Sequence, residues 1–93
     1  MAWSVEYSED AADTLGKMSK RNKATVAKIL DYMDGIAALE DPMSKGKALT
    51  GNLSGLWRYR VGDYRIICDI ENGRLVVTVV DVGHRSEIYK CRR

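Results

Sequence analysis

The 93-residue sequence is poor in the features that mark secreted, membrane-bound and metal-binding proteins. Its two cysteines, Cys68 and Cys91, form no C-x-x-C pair, which argues against a disulfide framework and predicts one core cysteine and one incidental thiol. No apolar run approaches the roughly 20 residues of a membrane span, and no signal peptide opens the chain, so we expect a cytosolic protein. No cluster has the spacing of metal ligands, and we predict no bound metal.

Charge is present but unevenly distributed. The formal net charge is only +2, yet eight of the thirteen acidic residues precede Pro42 and ten of the fifteen Lys and Arg residues follow Ser44. Arg58, Arg60 and Arg65 stand in apolar runs suited to β-strands, where the pleat fixes the direction of a side chain. A chain of this length has one core and little room for a large enclosed pocket. The pattern therefore indicates a surface that binds a polyanion.

The first half of the chain predicts one strand and two helices. Residues 3–7 alternate apolar and polar side chains, as a half-buried strand does, and Ser8 is a candidate N-cap for a short helix reaching about Met18. The second helix carries one apolar stripe and should end at Asp41-Pro42, because the residue before proline disfavours helix. The stripe consists of Val26, Ile29, Leu30, Met33 and Ala37.

The second half predicts a basic, mobile loop over residues 42–55 and then three strands, at 56–61, 64–70 and 74–82. Gly62-Asp63 and Asn72-Gly73 supply the turns, and Asn-Gly between apolar runs is a strong hairpin signal because both residues tolerate positive φ. We therefore predict a single α+β domain over residues 1–93. Its N-terminal strand, two-helix hairpin and three-stranded antiparallel meander would form a four-stranded antiparallel sheet with both helices on one face.

Specific motifs in the second half resemble a known family. They are the basic segment Lys47–Gly51, the strand residues Leu56–Arg60, the sequence Asp63–Ile67 with Tyr64-Arg65, and the closing Gly83-His84-Arg85 followed by Tyr89. Together with the order of elements, they resemble the RelE/ParE-type toxins of bacterial toxin–antitoxin pairs, and the resemblance covers essentially the whole chain.

The resemblance implies an activity and partners, with alternatives. RelE-like members cut messenger RNA in the ribosomal A site without a metal or organic cofactor, ParE-like members poison DNA gyrase, and a degenerate member would only bind its antitoxin and regulate transcription. The closing Arg85 and Tyr89 favour the RelE-like activity, an endoribonuclease. The implied partners are then the 70S ribosome with messenger RNA and a RelB-like cognate antitoxin in a hetero-oligomer.

The resemblance also implies roles for single residues. Arg65 would grip the scissile phosphate, Arg85 would be the second clamp, and Tyr89 would stack on or orient a base. Arg58 and Arg60, two apart and so on one face of a strand, would follow the RNA backbone, with Lys45 and Lys47 making less specific phosphate contacts. The best-known RelE pattern has lysines at the positions of Arg58 and Arg60, one of them implicated as general base. Arginine does not readily release its proton, so His84 is the preferred candidate and Glu87 a weaker one.

Each role has a structural alternative. Arg58 or Arg60 could belong to a solvated strand face, and Arg65 could form an ion pair with Asp63 or Asp69. His84 could be a turn residue, and Tyr89 could cover the edge of the sheet. The sequence alone leaves these alternatives open.

Overall fold

The computed structural model describes residues 3–88, which form a five-stranded sheet and two helices. The strand order across the sheet is β1-β5-β4-β3-β2. The elements in chain order are β1 (Ser4–Tyr7), α1 (Glu9–Ser19), α2 (Lys23–Ala37), β2 (Lys47–Ala48), β3 (Trp57–Val61), β4 (Tyr64–Glu71) and β5 (Val76–His84).

The α+β class is confirmed, whereas the predicted four-stranded antiparallel sheet is wrong in strand number and in one direction. The extra strand is β2, which pairs with β3 through only two residues and offers no alternating pattern to recognise. β1 pairs with β5 in parallel. The two helices carry the chain from β1 to the opposite edge of the sheet, and the strands β2 to β5 then lead back to β1, where β5 runs in the same direction. The pairs β3–β4 and β4–β5 are antiparallel, as predicted.

Helix α1 follows its sequence signals closely, whereas α2 ends at Ala37, four residues before the predicted stop at Asp41-Pro42, since Gly35 weakens its last turn. The Ser8 hydroxyl accepts a hydrogen bond from the Ala11 amide at 3.1 Å, which caps α1 as predicted. Leu30, predicted to be buried, is 39% exposed, because it lies at the margin of the apolar stripe that α2 buries against the sheet. That stripe is Val26, Ile29, Met33 and Ile36.

The loop and turns are more ordered than the sequence suggests. Residues 42–55 contain two single-turn 3₁₀ helices, Pro42–Ser44 and Gly51–Leu53, as well as β2, so the expectation of one mobile loop is corrected. The Asn-Gly hairpin forms, but its turn spans residues 72–75, and Leu75, not Asn72 or Gly73, has positive φ. The longer turn closes with the Leu75 amide donating to the Asn72 carbonyl at 3.3 Å.

The core lies between the helices and the sheet. Tyr59 in β3 is fully buried there, and its hydroxyl donates to the Pro42 carbonyl at 2.7 Å, which ties the loop to the sheet. Cys68 is a fully buried core residue, as predicted, and Met33 packs in the same cluster. Within residues 3–88, neither helix has the length and apolar character needed to span a membrane.

Candidate functional site

Strand pairing gathers four cations on the sheet face opposite the core. Arg58 and Arg60 alternate with buried Tyr59 and so point away from the helices. Lys47 is the cross-strand partner of Arg58, and Arg65 is the partner of Arg60, and direct antiparallel partners share a face. We call this group, Lys47, Arg58, Arg60 and Arg65, the basic face. The expectation that Arg58 and Arg60 share one side of their strand agrees with this register.

One cation of the basic face has an unsatisfied donor. The Nε of Arg58 is buried and has no hydrogen-bond partner among the described residues. A buried donor without a partner costs about 1–3 kcal/mol, which an incoming acceptor would recover. Arg58 and the exposed Arg60 also line a cavity of about 310 Å³ at the sheet edge, with Lys47, Gly46 and Tyr32. We call it the edge cavity.

The other two arginines of the proposed chemistry meet at the β3–β4 turn. The Arg65 guanidinium donates through Nη1 to the Gly62 and Tyr64 carbonyls, each at 3.2 Å. The Arg85 backbone amide donates to the Asp63 carbonyl at 2.8 Å, and the Arg85 side-chain Nε lies 3.5 Å from the Asp63 carboxylate. Asp63 therefore pairs with Arg85, not with Arg65 as the sequence alternative suggested. The ion pair is exposed and worth at most about 1 kcal/mol, so phosphate can displace it at small cost.

His84 lies on the opposite side of the sheet from Arg65. Its cross-strand partner is Tyr64, whereas Arg65 is paired with Gly83. The imidazole meets the Tyr64 ring edge-on at 5.6 Å and lines a second cavity of about 390 Å³ beside the start of α2. The Ser86 amide donates to its Nδ1 at 3.2 Å, so the neutral ring carries its proton on Nε2. The pairing of β3 with β4 thus brings Arg58, Arg60 and Arg65 to one face of the sheet, and His84 of β5 lies on the other.

The remaining predicted site residues are peripheral or undescribed. Lys45 is exposed, and its backbone carbonyl oxygen accepts a hydrogen bond from the Trp57 indole Nε1 at 2.7 Å, which holds the basic loop against β3. Glu87 is exposed, with its amide donating to the His84 carbonyl at 2.9 Å. Tyr89 lies outside the described residues. No group of three or more His, Cys, Asp or Glu residues in the part of the chain from 3 to 88 could hold a metal ion.

Gly83 and Ile88 form a contact that the sequence did not indicate. A Cβ at Gly83 would lie 2.8 Å from the Ile88 side chain, and Ile88 is only 4% exposed. Gly83 is also the cross-strand partner of Arg65. The glycine therefore lets the segment after β5 close over the sheet beside the basic face.

Sequence reasoning also missed Tyr32. Its ring contacts that of Tyr59 edge-on, with centroids 6.0 Å apart, and it reaches the edge cavity from α2. Burial raises the pKa of the Tyr32 hydroxyl, and the nearby Arg60 charge opposes that rise. The signal was present in the helical period, since position 32 is three residues after buried Ile29 and four before buried Ile36 and so borders the buried stripe.

Comparisons with known proteins agree with the fold and the motifs. A family model for the ParE toxin of type II toxin–antitoxin systems matches residues 5–89. Toxin RelG of Mycobacterium tuberculosis is 29% identical over 90 residues, which cover 97% of this chain and 99% of that toxin.

Solved structures show the same architecture. The toxin–antitoxin complex RelBE2 of Mycobacterium tuberculosis contains a chain with a TM-score of 0.77 and 25% identity, covering 94% of this chain and 95% of that one. A mutant of toxin RelE from E. coli in the free state matches with a TM-score of 0.72 at 20% identity, covering 97% and 93% of the two chains. The match to the family model over residues 5–89, on this shared fold, establishes that the chain belongs to the ParE toxin family of type II toxin–antitoxin systems, within the RelE/ParE superfamily.

Proposed function

We propose that this toxin is a ribosome-dependent endoribonuclease that acts in the cytoplasm. It cuts messenger RNA in the A site without a metal, and a RelB-like antitoxin neutralises it. The observation that carries this proposal is the basic face, where Lys47, Arg58, Arg60 and Arg65 stand in register on paired strands and Arg58 has an unsatisfied buried donor. Cations held at defined spacing on strands can bind successive phosphates of an RNA backbone in one orientation, which flexible surface lysines cannot do.

The proposed reaction uses the RNA's own 2′-hydroxyl as the nucleophile. Its attack on the adjacent phosphorus forms a 2′,3′-cyclic phosphate, and the 5′ oxygen of the next nucleotide leaves and takes a proton. Charge builds on the phosphate oxygens during the attack, and a planar guanidinium can contact two of those oxygens at once. Arg65 fills this role from β4, and Arg85 joins it by exchanging the Asp63 carboxylate for the phosphate. Tyr89 orients a base beside the cut.

The proton acceptor is assigned to His84 on chemical grounds, because histidine is the residue type that changes charge near neutral pH. The hydrogen bond from the Ser86 amide to Nδ1 adds a condition. His84 can accept a proton only after that hydrogen bond is released, either at Nδ1 itself or at Nε2 once the ring proton has moved to Nδ1. Because the ring lies on the opposite face of the sheet from Arg65, this role also requires the end of β5 and the turn that follows it to move on ribosome binding, so that the imidazole reaches the scissile phosphate.

Gyrase inhibition is the alternative activity, and the match to a ParE family model favours it. The RelE-like activity is preferred because the relatives that align over nearly the full chain are RelE-type toxins and because the cations lie on one strand face. A chain with neither activity would be an antitoxin-binding regulator.

The antitoxin partner is proposed from the relatives, since solved neighbours are toxin–antitoxin complexes. We propose that the antitoxin covers the helical pair and the sheet, so that the basic face is masked. Exposed Leu30 on α2 provides an apolar contact for such a segment. If the protein encoded beside this toxin fails to bind it in a pull-down, this partner assignment is wrong.

A purified system can separate the two activities. The toxin is mixed with 70S ribosomes carrying a defined message, with the naked message, and with gyrase and relaxed plasmid. We expect cuts only in the ribosome sample, ending in a 2′,3′-cyclic phosphate, and normal supercoiling by gyrase. Intact messages together with blocked supercoiling would transfer the assignment to the ParE-like activity.

A further inference from the structure

The edge cavity lies where helix, loop and sheet meet. In the described chain, β2 pairs with β3 only at Trp57 and Arg58, so the rest of β3 is left as a sheet edge on that side. Groups from both faces can reach such an edge. Tyr32 comes to it from α2, Gly46 and Lys47 come from the loop, and two arginines come from β3.

Among the described residues, the charged side chains that line the edge cavity are all cationic. They are Lys47, Arg58 and Arg60, and no carboxylate from residues 3–88 joins them. The buried Arg58 Nε next to it is a donor that has no partner among the described residues. Surface lysines alone attract anions weakly, but an unsatisfied buried donor favours a ligand that brings its own acceptor oxygens. Phosphate matches both the cationic lining and the free donor, because it carries negative charge and several acceptor oxygens.

The wall of the edge cavity depends on Gly46. Its φ is +80°, and a Cβ there would collide with the Arg58 carbonyl, the Trp57 indole and the Tyr59 ring. Any side chain would therefore push the loop away from β3. Glycine lets the loop backbone approach closely and leaves the cavity without a side chain from this wall.

Tyr32 adds an aromatic surface to the cationic lining. Its neighbour Tyr59 is fully buried and held by its hydrogen bond to Pro42, so the edge-on contact at 6.0 Å gives the half-buried Tyr32 ring a fixed support. Tyr32 and Arg60 line the same cavity, so the ring and the cation are neighbours. A supported ring beside phosphate-binding cations has the composition of a nucleotide site, since bases stack on aromatic side chains.

We propose that the edge cavity binds one nucleotide of the RNA, with its phosphate on Arg58, Arg60 and Lys47 and its base on the Tyr32 ring. Its volume of about 310 Å³ is at the small end of ligand sites, which suits a single nucleotide. This inference rests on the proposed function and deepens it, because it separates a nucleotide-holding cavity from the scissile phosphate at Arg65 and Arg85. Tyr32 is then an RNA-binding residue.

Mononucleotide binding tests the proposal without ribosomes. The full chain, made by cell-free synthesis, is titrated by NMR with adenosine 5′-monophosphate, with ribose 5-phosphate and with inorganic phosphate. Because base stacking is worth about 1–3 kcal/mol, we expect the nucleotide to bind at least about fivefold more tightly than ribose 5-phosphate. Tyr32→Leu should bring the two affinities together, and Tyr32→Phe should preserve the difference. Arg58→Met should weaken both ligands by a similar factor.

Tyr64→Leu is the matched control, because Tyr64 lines the second cavity and not the edge cavity. Equal affinity of the two ligands in the wild type would overturn the proposal, as would a difference that survives Tyr32→Leu or disappears in Tyr64→Leu. Thermal unfolding of each variant shows whether it is folded. If Tyr32→Leu unfolds, nuclear Overhauser contacts between the adenine protons and the Tyr32 ring of the wild type decide the question, and their absence would overturn the proposal. Tyr32-dependent binding without ribosome-dependent cutting would remove the proposed function alone, and the reverse result would remove this inference alone.

Discussion

Arginine replaces lysine at the two β3 positions where the best-known RelE pattern has lysine, and this choice shapes the proposed chemistry. Arg58 and Arg60 can grip phosphate in a fixed plane but cannot take up a proton from the 2′-hydroxyl. In the proposed reaction, rate enhancement would then come mainly from orientation and from charge stabilisation at Arg65 and Arg85. The common face of Arg58 and Arg60 could be predicted from the sequence, because residues two apart on a strand point to the same side.

The clearest residue-level prediction concerns Arg65. Arg65→Ala should slow ribosome-dependent cutting by roughly 10²- to 10³-fold, because it removes a donor aimed at developing charge. The measurement is the single-turnover rate on a ribosome-bound message. Arg74→Ala is the control, since Arg74 lies exposed in the β4–β5 turn and, within residues 3–88, forms an ion pair only with Glu71, at 3.1 Å. Equal rates for wild type and Arg65→Ala would remove Arg65 from the phosphate clamp.

A second residue-level prediction concerns His84. If His84 accepts the proton, His84→Gln lowers the cutting rate, and added imidazole, which can take up a proton in its place, restores part of that rate. If His84 only positions the turn, His84→Gln lowers the rate and imidazole does not restore it. The place of His84 opposite Arg65 could not be predicted, because it depends on the long-range register of β4 with β5.

At the scale of elements, local signals predicted well and long-range pairing did not. The Ser8 cap, the stripe of α2 and the Gly62-Asp63 turn are each encoded within a few residues. β2 was missed because a pair of residues has no period, and the parallel direction of β1 depends on where the helical hairpin returns the chain. Tyr32 was missed for a similar reason, since its partners Tyr59 and Arg60 lie on a strand far along the sequence.

An element-level prediction compares two glycines with positive φ. Gly46→Ala should destabilise the fold by about 1–2 kcal/mol more than Gly51→Ala, because both lose a favourable backbone conformation but only Gly46 has β3 atoms where the Cβ would lie. Urea unfolding followed by fluorescence gives both values. Gly46→Ala should also weaken RNA binding, since it moves Lys47 away from Arg58. Equal losses for the two variants would mean that the loop does not pack tightly on β3.

At the scale of the whole molecule, the buried phenol predicts how stability depends on pH. Burial raises the pKa of Tyr59 above its ordinary value of 10.0, with smaller contributions from Cys68, Tyr32 and Asp41. The neutral phenol is thus favoured in the fold and ionises first in the unfolded chain, so its stabilisation is complete below about pH 10 and is lost as pH rises further. Tyr59→Phe should lose about 1 kcal/mol at neutral pH, through the Pro42 hydrogen bond, yet show a shallower alkaline decline.

The same burial predicts an unreactive thiol. Desolvation raises the pKa of Cys68, and the side chain is fully buried, so no thiolate is available in the native state. Iodoacetamide should leave Cys68 unmodified in the folded toxin and modify it in urea, as mass spectrometry of the peptide containing residues 66–71 would show. Rapid modification under native conditions would mean that the core opens frequently.

The central claim is that an arginine clamp on the sheet cuts messages on the ribosome, and mapping new messenger RNA 5′ ends in induced cells tests it most directly. Wild-type toxin and Arg74→Ala should produce ends within codons at the A site, and Arg65→Ala and Arg85→Ala should produce almost none at matched protein levels. Messages that stay intact under wild-type induction, or ends that persist in both clamp variants, would contradict the account.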